Sequence, residues 1–120
     1  MADTPLIAHL DDLDTYSPPG HSGTTNRRLV AADLGGSFEM VHGTLAPGGT
    51  ADRHHHEHEF QAMFVLAGRA RVTLGSDAPV DCGPGHVVRI PPGLDHEVVS
   101  LGPEALQLAI VYSPPITRGK

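Results

Sequence analysis

Cysteine is nearly absent from this chain. Cys82 is the only one in 120 residues, so no internal disulfide can form and a reducing compartment is compatible. Beside a Gly-Pro-Gly turn it reads as a small packing residue rather than a reactive thiol. Aromatic rings are scarce too: with no Trp, two Tyr and three Phe, there is no stacking platform that points to a sugar or an aromatic ligand. Basic residues are few. Eight Lys and Arg stand against fourteen Asp and Glu, a net charge of −6, which excludes the basic face a nucleic-acid binder needs. No apolar run approaches the ~18 residues required to span a bilayer. The stretch MADTPLIAHLDDLDTY lacks a basic segment leading into an apolar one, so the expectation is a cytoplasmic protein without membrane or nucleic-acid partners. A chain of 120 residues makes one domain with one core.

Histidine, by contrast, is abundant. Four of the nine imidazoles fall within five positions, at His54, His55, His56 and His58. Side chains alternate faces along a strand, so His54 and His56 point one way and His55 the other. Two imidazoles side by side form half of a metal site. The apolar run Ala62 to Leu66 follows, read as a buried strand after a polar hairpin connection, with Gln61, Met63 and Val65 on one face. Further on, a strand from His86 to Ile90 and a Pro-Pro-Gly turn lead to His96, which opens a strand carrying His96, Val98 and Ser100 on one face.

The remaining chain reads as more short strands. Residues 1 to about 15 form a helical turn or an edge strand, and the Pro- and Gly-rich stretch from Tyr16 to Asn26 reads as a loop and candidate lid, with His21 in solvent. Arg28 to Ala32 and Phe38 to Leu45 suit a hairpin across a Gly-Gly pair. Phe38, Met40, His42 and Thr44 share one face of the second strand; if that face is inward, His42 lines a pocket. Ala46 to Gly49 reads as a turn. Ala70 to Leu74 alternates as a half-buried strand, Ala78 to Asp81 is a short edge, and Ala105 to Tyr112 closes the fold. Strands with turn signals every ~8–12 residues, and no convincing long helix, indicate an all-β sandwich or barrel.

Two stretches resemble the paired motifs of the cupin superfamily. Gly48, His54, His56, Gln61 and Gly68 fit the first, and Gly85, Pro91, Gly93, His96 and Ser100 fit the second. The resemblance implies a small single-domain cupin: a double-stranded β-helix, or jelly-roll barrel, over residues 27–115, preceded by an N-terminal segment (1–26) and followed by a short tail (116–120). It assigns one divalent transition metal to His54, His56, Gln61 and His96, among Fe, Mn, Ni, Co, Cu and Zn. Met63, Val65, Val98 and Ser100 become candidate pocket residues. Two positions depart from the family pattern: Gln61 stands for the usual Glu, and Ser100 for the usual Asn. Glu57 or Glu59 would need another register to supply the missing carboxylate.

Three neutral imidazoles and an amide leave the charge of a divalent ion uncompensated, which favours Lewis-acid chemistry on a small oxygenated substrate, of lyase or isomerase type. The alternatives are a cupin-type dioxygenase and a non-catalytic metal- or ligand-binding module. No catalytic acid or base is identifiable. Apolar residues on both faces of the strand from Ala62 to Leu66 lead us to expect a homodimer.

Overall fold

The computed structural model describes residues 4–116. Among these, nine strands run in chain order: β1 (Thr15–Tyr16), β2 (His21–Val30), β3 (Glu39–His54), β4 (Phe60–Ala67), β5 (Ala70–Leu74), β6 (Val80–Cys82), β7 (Val87–Ile90), β8 (His96–Ser100) and β9 (Leu106–Ser113). All pairings are antiparallel, and the sheet curls through the order β6-β5-β8-β3-β9-β4-β7, with β2 along β3 and β1 along β2. This is the all-β jelly-roll barrel expected from the sequence.

The strand that holds the barrel together is β3. Its first half, Glu39 to Leu45, pairs with β9, and its second half, Thr50 to His54, pairs with β8. One strand therefore belongs to both halves of the barrel. The hinge between those halves is Ala46-Pro47-Gly48-Gly49, expected as a turn. These residues stay within β3, with Gly48 at a φ of +82°, and β2 accommodates them by slipping from Ser22↔Thr50 to Thr24↔Leu45.

Alternation then sorts the core. Val41, Leu45 and Ala51 of β3 face inward with Met63 and Val65 of β4, Val98 of β8, and Leu106, Leu108 and Ile110 of β9. The inward set of β3 is thus Glu39, Val41, Gly43 and Leu45, and His42 belongs to the other face. His42 lies outside, within 3.3 Å of the Gln107 side chain, and lines no pocket of the site. Val65 is sealed in the core, and the Ser100 hydroxyl donates to the Leu45 carbonyl at 3.3 Å, so neither reaches a cavity.

The N-terminal third differs most from expectation. Two single-turn 3-10 helices, Leu10–Asp12 and Ala32–Leu34, flank the first strands. The presumed loop from Tyr16 to Asn26 is mostly β2, which begins at His21 and pairs along β3, so only residues 17–20 remain as a loop. Of the expected tail, only Ile116 lies within the described residues.

Gly68, which ends the first motif, closes the β4–β5 turn at a φ of +82°. A Cβ there would lie 2.5 Å from the Ala105 carbonyl oxygen and 2.8 Å from the Leu106 Cα, both backbone atoms that cannot rotate away. Strain and collision combine, so Gly68→Ala should lose about 2 kcal/mol or more of stability. Urea melts of the variant and the parent would check this; equal midpoints would show that the turn relaxes freely.

Candidate metal centre

The expected histidines do meet, though by a different route from simple alternation. β3 buries its odd-numbered positions from Glu39 to Leu45 and again at Gly49 and Ala51, and on that parity His54 would point outward. A register shift intervenes: Ala51 pairs with Val98, but His54 pairs with His96, so β3 uses three residues where β8 uses two. This bulge at Asp52-Arg53 switches the parity and turns His54 inward. β3 ends at His54, and His56 follows in the connection to β4. The rings of His54 and His56 then stand 4.9 Å apart, those of His54 and His96 4.3 Å, and those of His56 and His96 5.4 Å. One ligand atom from each of the three lies within 4.8 Å of the others, and the group contains no carboxylate.

Two of the rings are oriented by their own backbone. His54 Nδ1 lies 2.6 Å from the Asp52 carbonyl oxygen, and His96 Nδ1 lies 3.0 Å from the Leu94 carbonyl oxygen. A carbonyl only accepts, so each Nδ1 carries the proton and each Nε2 presents a bare lone pair. His96 Nε2 and Gln61 Oε1 are both buried and meet no partner among the described residues. Gln61, His54, His96, Met63 and Val98 line one small inner cavity. Buried lone pairs without donors are costly. An ion shared among them would satisfy both atoms, and the donor set suits a divalent transition metal.

The electrostatics point the same way. Burial, followed by the neighbouring His54 and His96, holds the His56 imidazole down at about 4. Burial also lowers His96. At neutral pH both rings are uncharged and competent as ligands. His55 is exposed, with Nδ1 3.0 Å from Asp95 Oδ1, and stands outside the cluster. Glu59 is buried and Glu57 exposed, and neither belongs to the group. The Cys82 thiol is raised by burial, as suits a packing residue.

A larger cavity of about 280 Å³ opens beside His54 and His56, walled by Tyr16, Asn26, Glu39, Tyr112 and the Pro18-Pro19-Gly20 turn. It lies just under the ~300–1,000 Å³ range of small-molecule sites. The sequence reading missed several of its residues. His21, placed in solvent, lies on β2 with its ring 6.2 Å from His54 and Nδ1 3.0 Å from the Thr24 hydroxyl. Burial lowers it, with His54 the next cause. Tyr112 packs edge-on against His56 at 5.6 Å and is raised by burial. The parity of β9, with Leu106, Leu108 and Ile110 inward, was the signal that would have found Tyr112. For β2 there was none, because its buried positions Thr24 and Asn26 are polar.

Comparison with known proteins bears on this geometry. The cupin-domain family model matches residues 41–112. The chain belongs to the cupin family. Among curated proteins, this cupin is 27% identical to L-ectoine synthase of Mycobacteroides abscessus over 96 residues, covering 79% of this chain and 72% of that protein. Among solved structures it resembles the polyketide cyclase RemF from Streptomyces resistomycificus, with a TM-score of 0.80 and 24% identity over 92% of this chain and 80% of that one. It also resembles a protein described as a predicted oxalate decarboxylase from Thermotoga maritima, with a TM-score of 0.81 and 19% identity over 91% and 99%. At such identities the structures establish the fold alone, and their differing names show how little the barrel dictates the reaction.

The depressed histidines have a thermodynamic consequence for the metal-free protein. A ring held below its ordinary ~6.5 in the folded state takes up its proton first in the unfolded chain. Stability should be full above pH ~6.5 and drain away as pH falls through that value towards the His56 value of about 4. Denaturant midpoints measured between pH 7.5 and 4 in the presence of a chelator would show this. His56→Gln should flatten the decline; an unchanged slope would mean that other groups cause it.

Proposed function

We propose that this cupin binds one divalent transition metal through His54, His56, Gln61 and His96 and acts on a small oxygenated substrate in a non-redox reaction of lyase or isomerase type. The observation that carries the reading is the pair of buried, unpartnered lone pairs on Gln61 Oε1 and His96 Nε2, facing one cavity with His54. Such an ion, when bound, supplies Lewis acidity towards a carbonyl or hydroxyl oxygen. The chain's own part is to hold neutral donors. Nδ1 bonds to backbone carbonyls fix two of the rings, and Gln61 contributes an amide oxygen without charge. With no carboxylate in the cluster, the ion's charge stays available to the substrate, which favours polarisation over stabilisation of an oxidised metal. The cavity beside His54 and His56 gives the substrate access, as a catalytic site needs and a closed structural site lacks. The names of the relatives, a synthase and a cyclase among them, accord with chemistry on small molecules.

Three variants test the ligand set. His96→Ala should abolish stoichiometric metal binding, whereas His55→Ala should leave it nearly intact. Gln61→Glu should bind more tightly by about tenfold, or ~1.4 kcal/mol, because attraction to the added charge exceeds its desolvation only modestly. Competition with a chelator measures all three; unchanged affinity in Gln61→Glu would remove Gln61 from the ligand set. Against a panel of hydroxy-ketones and unsaturated sugar acids, turnover by the metal-loaded protein should be the same under argon as in air. Strict dependence on oxygen would overturn the non-redox reading in favour of a dioxygenase. Metal binding without turnover of any panel compound would favour the binding module.

We also propose a homodimer, with a second copy against the outer face of β4. Phe64 and Leu66 are each 45% exposed there, and Phe60 lies on the same face. Val87 of β7 stands beside Phe64 in register and is itself exposed, which extends one apolar surface across two strands. Light scattering at micromolar concentration should report twice the chain mass, and Phe64→Asp should shift it to the monomer. A monomeric parent would contradict the proposal.

A further inference from the structure

Beyond the proposed ligands, one more buried acceptor belongs to a residue that lines the same space. Asn26 lies on β2, opposite Gly43 of β3, and is 3% exposed. Its side chain hydrogen-bonds the Tyr16 phenol. Its Oδ1 is buried and meets no donor among the described residues, so the bond to Tyr16 runs from the amide N–H₂. The bare backbone at Gly43 makes room for that carbonyl: a Cβ there would lie 2.9 Å from Asn26 Oδ1. Asn26 also lines both cavities, the inner one with Gln61 and His96 and the larger one with His56, so it stands where the two meet.

We propose that Asn26 Oδ1 receives a neutral hydroxyl of the substrate, so that the site takes a molecule with metal-chelating oxygens at one end and a free hydroxyl beyond them. The inference rests on the metal reading given above and specifies its substrate. An amide oxygen only accepts, so the group it binds must carry an O–H or an N–H. The surrounding charge selects between them. Glu39 is the buried carboxylate of this wall, and both its oxygens are taken: Arg28 Nε donates to Oε2 at 2.8 Å, and the Ile116 backbone N–H donates to Oε1 at 2.8 Å. The Arg28 guanidinium also lies 4.2 Å over the Tyr16 ring. Carboxylate and guanidinium therefore balance, and the wall's other two charges, Asp52 and Arg53, are exposed and opposite in sign, so a second cation would meet no net negative charge. A neutral hydroxyl fits this wall where an ammonium does not. The Tyr112 phenol, which lines both cavities, can give or accept a further hydrogen bond to the same group.

The test uses straight-chain hydroxamates, whose two oxygens chelate the metal, on the full chain loaded with Co(II). Each spacer length carries a terminal hydroxyl, ammonium or methyl group, and the length is increased stepwise. At one length the hydroxyl should bind about tenfold more tightly than the methyl, the worth of one buried hydrogen bond. Asn26→Leu should erase that preference while leaving Co(II) stoichiometry unchanged. Gly43→Ala, which crowds the amide oxygen without altering its chemistry, should weaken it, and thermal melts would show that this variant folds. Asn26→Asp should turn the preference towards the ammonium. The inference is overturned by a wild-type protein that binds Co(II) yet shows no hydroxyl preference at any length, or that prefers the ammonium. A preference that survives both Asn26→Leu and Gly43→Ala overturns it too, as does loss of Co(II) in a folded Asn26→Leu variant. Failure of the wild type to bind Co(II) at all is a different result, since it removes the metal reading and this inference with it.

Discussion

The extra residue in β3 at Asp52-Arg53 is the constraint on which the site depends. Upstream of it, β3 buries odd-numbered side chains into an apolar core. Downstream, the same strand must deliver His54 to the inside beside His96. A strand has a side-chain period of two, so no uninterrupted strand could do both. The bulge resolves the conflict and also frees the Asp52 carbonyl to hold His54 Nδ1. One irregularity thus sets which way the ring points and which nitrogen is bare. His96 receives the same treatment from Leu94, two residues before it. The two rings are oriented locally, and the barrel brings their strands together.

This explains why the histidine cluster was legible in the sequence while the path to it was not. Spacing placed His54, His56 and His96 together through their resemblance to paired motifs, and the structure does bring them within reach of one ion. The alternation argument paired His54 with His56 correctly but presumed a strand through His56, whereas β3 stops at His54. His42 shows the complementary limit. Both faces of its strand carried apolar residues, so nothing local chose between them. Pairing with β9 did so, by burying Val41 and Leu45 against Ile110 and Leu106. β2 was invisible for a physical reason: it lies along the rim of the cavity, and its buried residues are the polar Thr24 and Asn26. Hydrophobic periodicity marks strands that face a core and overlooks those that face a site.

Electrostatics gives the centre its character. Burial and mutual proximity keep His56 and His96 uncharged at neutral pH, and the cluster includes no carboxylate. The buried acid on the cavity wall, Glu39, is already committed to Arg28. A divalent ion held here keeps most of its charge for whatever enters the cavity. The surface facing away from the site is apolar across β4 and at Val87 of β7, so the proposed metal-binding and subunit-binding roles fall on opposite faces of the same strand: Gln61 and Met63 inside, Phe60 and Phe64 outside.

The central claim is that neutral donors alone hold a metal in this barrel. X-ray absorption spectroscopy tests it most directly, on protein purified without a histidine tag or a nickel column, since either could load the site artificially. The account predicts a stoichiometric divalent transition metal with only nitrogen and oxygen neighbours, and outer-shell scattering from three imidazoles. Absence of metal, or a shell with fewer imidazoles, would contradict it.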